Sequence, residues 1–307
     1  MQRNLNERLY LIHAIEQERG SRVLAYFLHD SALIADDAIL PLYDKLEGLG
    51  QQARLDLVVY SRGGYTEVSW KIISLLREYA DFLAVLVPYR AHSGATLIAL
   101  GADEIVMGPL SELSAIDPIR GHYLLPAGQD GQPGKVSAQD LQRALEFVGS
   151  RTEDAASIIP ALFQHIHPLA IGALRQSYDL VELIARKALM LHWDPVEKAD
   201  DIDRVVLTLN GGLHSPVYPL SRREAREMGL PVTDAEPGLW ARLWQLYGAY
   251  QQIVHAEWPV EGRPGVVQRY LCILETTQRT TGLRQVFMRE ATGERVLEAR
   301  WETSTRE

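Results

Sequence analysis

The residues of this chain best placed to do chemistry lie in HSGATLIALGADEIVMG, 92–108, where Ser93 stands directly before Gly94 and an apolar run of helix length. A serine so placed holds its Oγ at a helix N-terminus. Unpaired backbone N–H groups and the positive end of the dipole favour developing negative charge there. Upstream, the apolar run LDLVVY, 55–60, breaks into SRGGY, 61–65. Adjacent glycines after a buried-strand pattern let a backbone N–H come close to a ligand. A nucleophile, a helix N-terminus and glycine amides are the parts of an acyl-transfer site with an oxyanion hole.

The elements that must position these parts alternate along the chain. Helical spacing runs over 3–18, a buried strand over 22–28, and a helix closing on glycine over 36–50. The strand LDLVVY, a helix over 66–79, the strand FLAVLVP at 82–88, the Ser93 helix and the strand DEIVMG at 103–108 follow. Such alternation predicts an α/β fold, a largely parallel sheet covered by helices, which places ligands at the carboxyl ends of its strands. SRGG and Ser93 both fall directly after strands. The stretch 109–137 reads as loop and 138–200 as mostly helix, with breaks at Pro160 and at 166–168. RVVLTLNGG, 204–212, reads as a strand, and SRREAREMGL, 221–230, as a short helix with a serine cap and a glycine stop. From Pro237 the character changes to one long helix with tryptophans, then three strands separated by turn residues. Two units are expected, 1–235 and a C-terminal helix and β-meander extension at 236–307.

The 307 residues are 47% hydrophobic and 23% charged, which is ordinary soluble usage. A net charge of −9 argues against non-specific nucleic-acid binding. The single cysteine, Cys272, excludes an intramolecular disulfide and a multi-cysteine metal site. The N-terminal stretch is too charged for a signal peptide, and no apolar run reaches about 18 residues. A cytoplasmic protein without membrane insertion is the expectation, with no cofactor and no metal. His165 and His167 in HIHP lack a third ligand nearby and read as helix-terminus residues. Lysine is scarce, with Lys45, Lys71, Lys135, Lys187 and Lys198 the five in the chain.

With SRGG, AHSGATLIALGADEIVM and SAIDPI in place, the chain resembles the serine dehydrogenase proteinase family, relatives of signal peptide peptidase A within the ClpP/crotonase superfamily. Its members read TPGG, then a motif like AMSAGTLIALAADEIVM, then GPIDPQ. The later segments IHPLAIGALRQSYDLVELIARK and LHSPVYPLSRREAREMGL are similar too, so the resemblance covers about 5–232. It implies stacked ββα units, a homo-oligomer or ring, and a serine peptidase acting on an extended polypeptide. Two departures stand out. Arg62 replaces a proline and is expected to face solvent, with a bias on substrate choice as the alternative. Ser-Gly-Ala replaces Ser-Ala-Gly at the nucleophile.

Carried over residue by residue, the resemblance makes Ser93 the nucleophile. Lys135, 42 residues downstream in PGKVSAQDL, becomes its general base. A lysine serves as a base only when partial desolvation lowers its pKa. His122, 29 residues after Ser93 with Asp117 and Asp130 nearby, is the runner-up base, on the Ser-His-Asp pattern of ClpP-like peptidases. Gly63 and Gly94 are the expected oxyanion donors. Gly64, Tyr65, Leu113 and Ser114 are expected to pair with the polypeptide substrate as added strands. His92 should point away from the site, and His214 is read as structural. Two readings from other classes stay open: a crotonase-type acyl-CoA enzyme using the same amides, and a catalytically inactive oligomeric scaffold.

Overall fold

The computed structural model describes residues 4–116, 119–121, 123–125, 135–149, 160, 163–164, 166–290 and 293–305. Helix α1 (Leu5–Arg19) leads into β1 (Arg22–Leu28), an unbroken apolar strand buried along almost its whole length. A single 3-10 turn and α2 (Ile39–Leu49) cross to β2 (Gln52–Tyr60). Helix α3 (Thr66–Glu78), β3 (Ala80–Val87), the two-residue β4 (Arg90–Ala91), α4 (Gly94–Leu100) and β5 (Glu104–Met107) complete the alternating half. Next come β6 (Glu112–Leu113), β7 (Ile119–Gly121), β8 (Lys135–Ser137), α5 (Ala138–Gly149), α6 (Pro168–Leu189) and α7 (Ala199–Leu207). The last third holds β9 (Leu220–Ser221), α8 (Arg222–Glu227), β10 (Val232–Asp234) and α9 (Pro237–Val254). Strands β11 (Trp258–Pro259), β12 (Val266–Glu275), β13 (Arg279–Glu290) and β14 (Gly293–Thr305) end the described chain.

The main sheet runs β10-β5-β3-β2-β1-β12-β13-β14, with β11 pairing β12. The five strands from β10 to β1 are parallel, and β12 to β14 continue antiparallel from β1. In register, Phe27 lies opposite Tyr60 and Val58 opposite Leu86, which brings the carboxyl ends of β1, β2 and β3 to one edge of the sheet. Successive strand residues bury on opposite faces. Leu24, Tyr26 and Leu28 join the core under α2, α3, α4 and α6, while Val23, Ala25 and Phe27 join the core under α1 and α9. A parallel sheet buried on both faces needs both helix layers. Leu239, Leu243, Leu246 and Tyr250 of α9 are buried in the second layer, and β12 pairs with β1. The segment from residue 236 thus shares sheet and core with the rest. Arg8 and Glu275, both fully buried, tie α1 to β12 through a 2.7 Å Nε–Oε2 contact. The Tyr250 hydroxyl adds a bond to the same carboxylate at 2.8 Å.

The segment 204–212 is not a strand. It is the end of α7 and an irregular helical turn over Thr208–Gly212. Ile202, Val205, Val206 and Leu209 are buried at i, i+3, i+4 and i+7, and Asp200 and Asp201 occupy the first turn. A window opening at Arg204 cuts that helical repeat short and leaves what looks like a strand. The serine cap is as expected: Ser221 and Glu224 form a reciprocal capping box at the start of α8.

Candidate active site

The site is built where two loops leave the carboxyl ends of β2 and β3. Main-chain bonds lock them together: Ser61 N–H donates to Arg90 O and His92 N–H to Ser61 O, both at 3.0 Å. Ser93 follows at once, in the turn from β4 into α4, with φ 50° and ψ −112°. A non-glycine residue held there costs on the order of 1–3 kcal/mol, so the surroundings must over-determine it. They do so with hydroxyls. Ser93 N–H donates to Ser114 Oγ at 2.8 Å, and Ser114 Oγ donates to Ala115 O at 2.8 Å. Ser114 N–H donates to Thr96 Oγ1 at 3.1 Å, and Thr96 Oγ1 donates to Ala91 O at 2.7 Å. A strained strand-to-helix turn of this kind pushes the serine hydroxyl out of the backbone. Ser93 Oγ makes no hydrogen bond among the described residues and is partly exposed.

Gly63 forms the floor. Its φ is 113°, and a Cβ built on it would stand 2.6 Å from Ser93 Cβ and 3.1 Å from Ser93 Oγ. No side chain fits there. Its N–H is spent on Ser61 Oγ at 3.0 Å, and its carbonyl accepts from Ile34 N–H at 2.9 Å. Tyr65 N–H goes to Ile34 O at 2.9 Å, so along this short extended stretch the N–H and C=O of Gly64 face the other way. That way is the Gly94 side: a Cβ on Gly94 would stand 3.2 Å from Gly64 N. Neither the Gly64 nor the Gly94 N–H has an acceptor among the described residues. The unengaged N–H groups at the helix start are those of Gly64 and Gly94, whereas the N–H of Gly63, the expected donor, is spent on Ser61 Oγ.

The other expected residues sort by place. Gly64 lies against Gly94, and Tyr65, next in the chain, is exposed. Leu113 and Ser114 are fully buried, and β6 is paired on both edges, with β4 and with β9. The two edges of β6 that an added strand at Leu113 would need are thus already paired, and Ser114 Oγ accepts from Ser93 N–H. The backbone of Lys135 opens β8, opposite Gly121 of β7. Its side chain lies outside the described residues, as do all of His122, Asp117, Asp130 and His165. His167 caps α6, its Nδ1 accepting from Leu169 N–H at 3.1 Å. His214 is exposed in a left-handed turn at φ 58°.

His92 is buried and turned towards β6. Its Nε2 lies 3.1 Å from Glu112 Oε1, out of line for a hydrogen bond. Arg90 Nε binds the same oxygen at 2.6 Å. Burial pushes the His92 pKa down, Glu112 pulls it back, and the cations Arg90 and Arg62 push it down again. Ser61 and Ser69 are polar residues around Ser93 and Gly94 that sequence reasoning did not single out, while Ser114, expected to pair with substrate, bonds the Ser93 backbone. Ser69 Oγ, bonded to Tyr65 O at 3.0 Å, sits under Gly94. Among the described residues there is no group of three or more metal-ligating side chains and no helix long and apolar enough to cross a membrane.

Parallel strands buried on both faces, a glycine turn after β2 and a strained serine opening a helix after β4 place the site in an α/β fold with a largely parallel sheet. Residues 1–129 match the sequence model of the family described as ClpP-like SDH-type serine proteinase, which bears out the resemblance over that stretch. Two uncharacterized proteins of Methanocaldococcus jannaschii are similar along more of the chain. One is 28% identical over 258 residues, covering 80% of this chain and 78% of its own length. The other is 27% identical over 215 residues, covering 70% of this chain and 65% of its own. Among solved structures, a membrane-bound stomatin-specific protease in complex with a substrate peptide superposes with TM-score 0.42 at 15% identity, over 79% of this chain and 84% of that one. ClpP1 of Listeria monocytogenes superposes with TM-score 0.34 at 13% identity, over 76% of this chain and 98% of that one.

Proposed function

We propose that this chain is a serine peptidase that hydrolyses an extended polypeptide through an acyl-enzyme. One observation carries the reading most: the strained Ser93 sets a hydroxyl without a described hydrogen bond beside two unengaged amides, Gly64 and Gly94. The serine proteinase family matched by residues 1–129 supports the same class.

In this mechanism Ser93 Oγ attacks the scissile carbonyl carbon while its proton passes to neutral Lys135. The oxyanion that forms accepts from Gly64 and Gly94 N–H, and loss of one such donor typically costs on the order of a hundredfold in rate. The intermediate collapses as the C–N bond breaks, and the leaving amine takes the proton from Lys135. Water then attacks the ester, Lys135 again taking the proton, and the acid product leaves as Ser93 recovers its hydrogen. The Gly64 main chain offers N–H and C=O for pairing with the substrate backbone. The protein works in the cytoplasm as a homo-oligomer, a proposal that light scattering tests: a mass near 34.5 kDa at micromolar concentration contradicts it.

The dyad is tested by turnover of an unstructured polypeptide. Lys135→Met removes the amine at similar length, so cleavage should cease in a folded protein. Full activity in that variant ends the Lys135 assignment, and loss in His122→Ala alone moves the role to His122.

A further inference from the structure

Arg62 is exposed on the turn between Ser61 and Gly63 and has no hydrogen-bond or ion-pair partner among the described residues. Its root is fixed. Ser61 is bound in both directions to the loop carrying Ser93, and Gly63 is bound through both its N–H and its carbonyl. Consecutive Cα atoms are about 3.8 Å apart, and the next one, that of Gly63, lies in van der Waals contact range of the Ser93 side chain. The Arg62 side chain therefore starts one residue from the glycine that packs against Ser93.

The charges around it are unevenly spent. Glu112 is taken by Arg90 and faces His92 on its other side. Arg62 is among the cations that push the His92 pKa down. Glu67, exposed on the first turn of α3, makes no ion pair with it. Nothing in the turn calls for an arginine, since Ser61 Oγ and the two glycines already set the backbone. The chain as a whole carries −9, yet this turn carries a positive charge without an ion-pair partner among the described residues. A local field of opposite sign to the whole molecule concentrates a partner of the complementary charge.

Resting on the peptidase reading, we infer that Arg62 selects acidic polypeptide segments, binding an aspartate or glutamate side chain of the substrate close to the scissile bond. Arginine suits this task because its planar fork takes a carboxylate through two bonds. The substrate class is thereby an acidic, extended stretch of polypeptide.

The test uses two matched sets of probes. Peptidyl phosphonates carrying Glu, Gln or Lys beside the phosphorus report the rate of covalent labelling of the full-length protein. Fluorescein-labelled heptapeptides that differ by one central Glu or Gln report equilibrium binding to the Ser93→Ala protein, where no bond is broken. At low salt the Glu probe should react, and the Glu peptide bind, about fivefold better than the Gln counterpart, as for a single exposed ion pair. The ratio should fall towards one as salt is raised. Arg62→Gln should bring it to one, Arg62→Lys should keep part of it, and Arg62→Glu should turn the preference towards Lys. Labelling at equal rates for Glu and Gln overturns the inference and leaves the peptidase reading standing. So does a Glu preference that survives in Arg62→Gln. A Glu preference in binding without labelling of Ser93 supports the inference and overturns the nucleophile.

Discussion

The two halves of the main sheet are held together in different ways. Around Ser93 the parallel strands end in loops fixed by main-chain bonds and small hydroxyls: Ser61 to Gly63, Ser114 to Ser93, Thr96 to Ala91. In the antiparallel half the long strands β12 to β14 carry arginine and glutamate pairs across their faces, with Arg269 to Glu294 at 2.7 Å and Arg284 to Glu302 at 3.3 Å. That half is anchored to α1 by the buried Arg8–Glu275 pair. Small groups leave room for a ligand and fix positions to a fraction of an ångström. Long charged side chains cover surface and tolerate change. Backbone amides and small hydroxyls gather around Ser93, while the meander is held by ion pairs across its faces and by the buried Arg8–Glu275 pair.

Substitutions on the two sides should therefore separate folding from chemistry. The largest effect belongs to the anchor. Arg8→Met leaves the Glu275 carboxylate buried without its guanidinium, which should cost about 3–5 kcal/mol of stability in denaturant titration. Replacing both, Arg8→Met with Glu275→Leu, should recover most of that loss. A single variant as stable as the parent would break the comparison. The next effect belongs to the site floor. Gly63→Ala forces a Cβ against Ser93 at a φ that L residues avoid. It should lower cleavage by at least about a hundredfold, on the scale of losing an oxyanion donor, while its stability falls less than in Arg8→Met. Normal cleavage would show that Ser93 does not need this close floor.

The smallest effect is titration. His92, His29 and His192 all have pKa values lowered below 6.5, burial being the largest cause in each. A lowered base binds fewer protons in the folded than in the unfolded chain, so its contribution to stability is present above the unfolded value. It is lost as pH falls below about 6.5. Unfolding free energy should decline from pH 7 to pH 5, and His92→Gln should make that decline shallower. An unchanged slope would mean that His92 is not held neutral.

Much of the fold was legible. β1 reads to the residue because its apolar run is unbroken, and α9 begins at Pro237 where the composition turns. β4 and β6 were not legible, since two residues carry no periodicity. The Ser93 and Gly94 placement was legible from the motif. Which glycine of the pair turns its N–H to the site was not, because it depends on Ile34 taking the bonds of Gly63 and Tyr65. The roles of Ser61 and Ser114 were hidden for a similar reason. Ser114 meets Ser93 across 21 positions of sequence, a pairing that the folding of β6 against β4 creates.

The central claim is that Ser93 is the nucleophile, and the most direct test is intact-mass and peptide-level mass spectrometry after treatment with a serine-directed fluorophosphonate. One adduct, on the peptide that contains Ser93, lost in Ser93→Ala and slowed in Lys135→Met, is the predicted result. An adduct on another serine, or none on protein shown to be folded, would contradict the account.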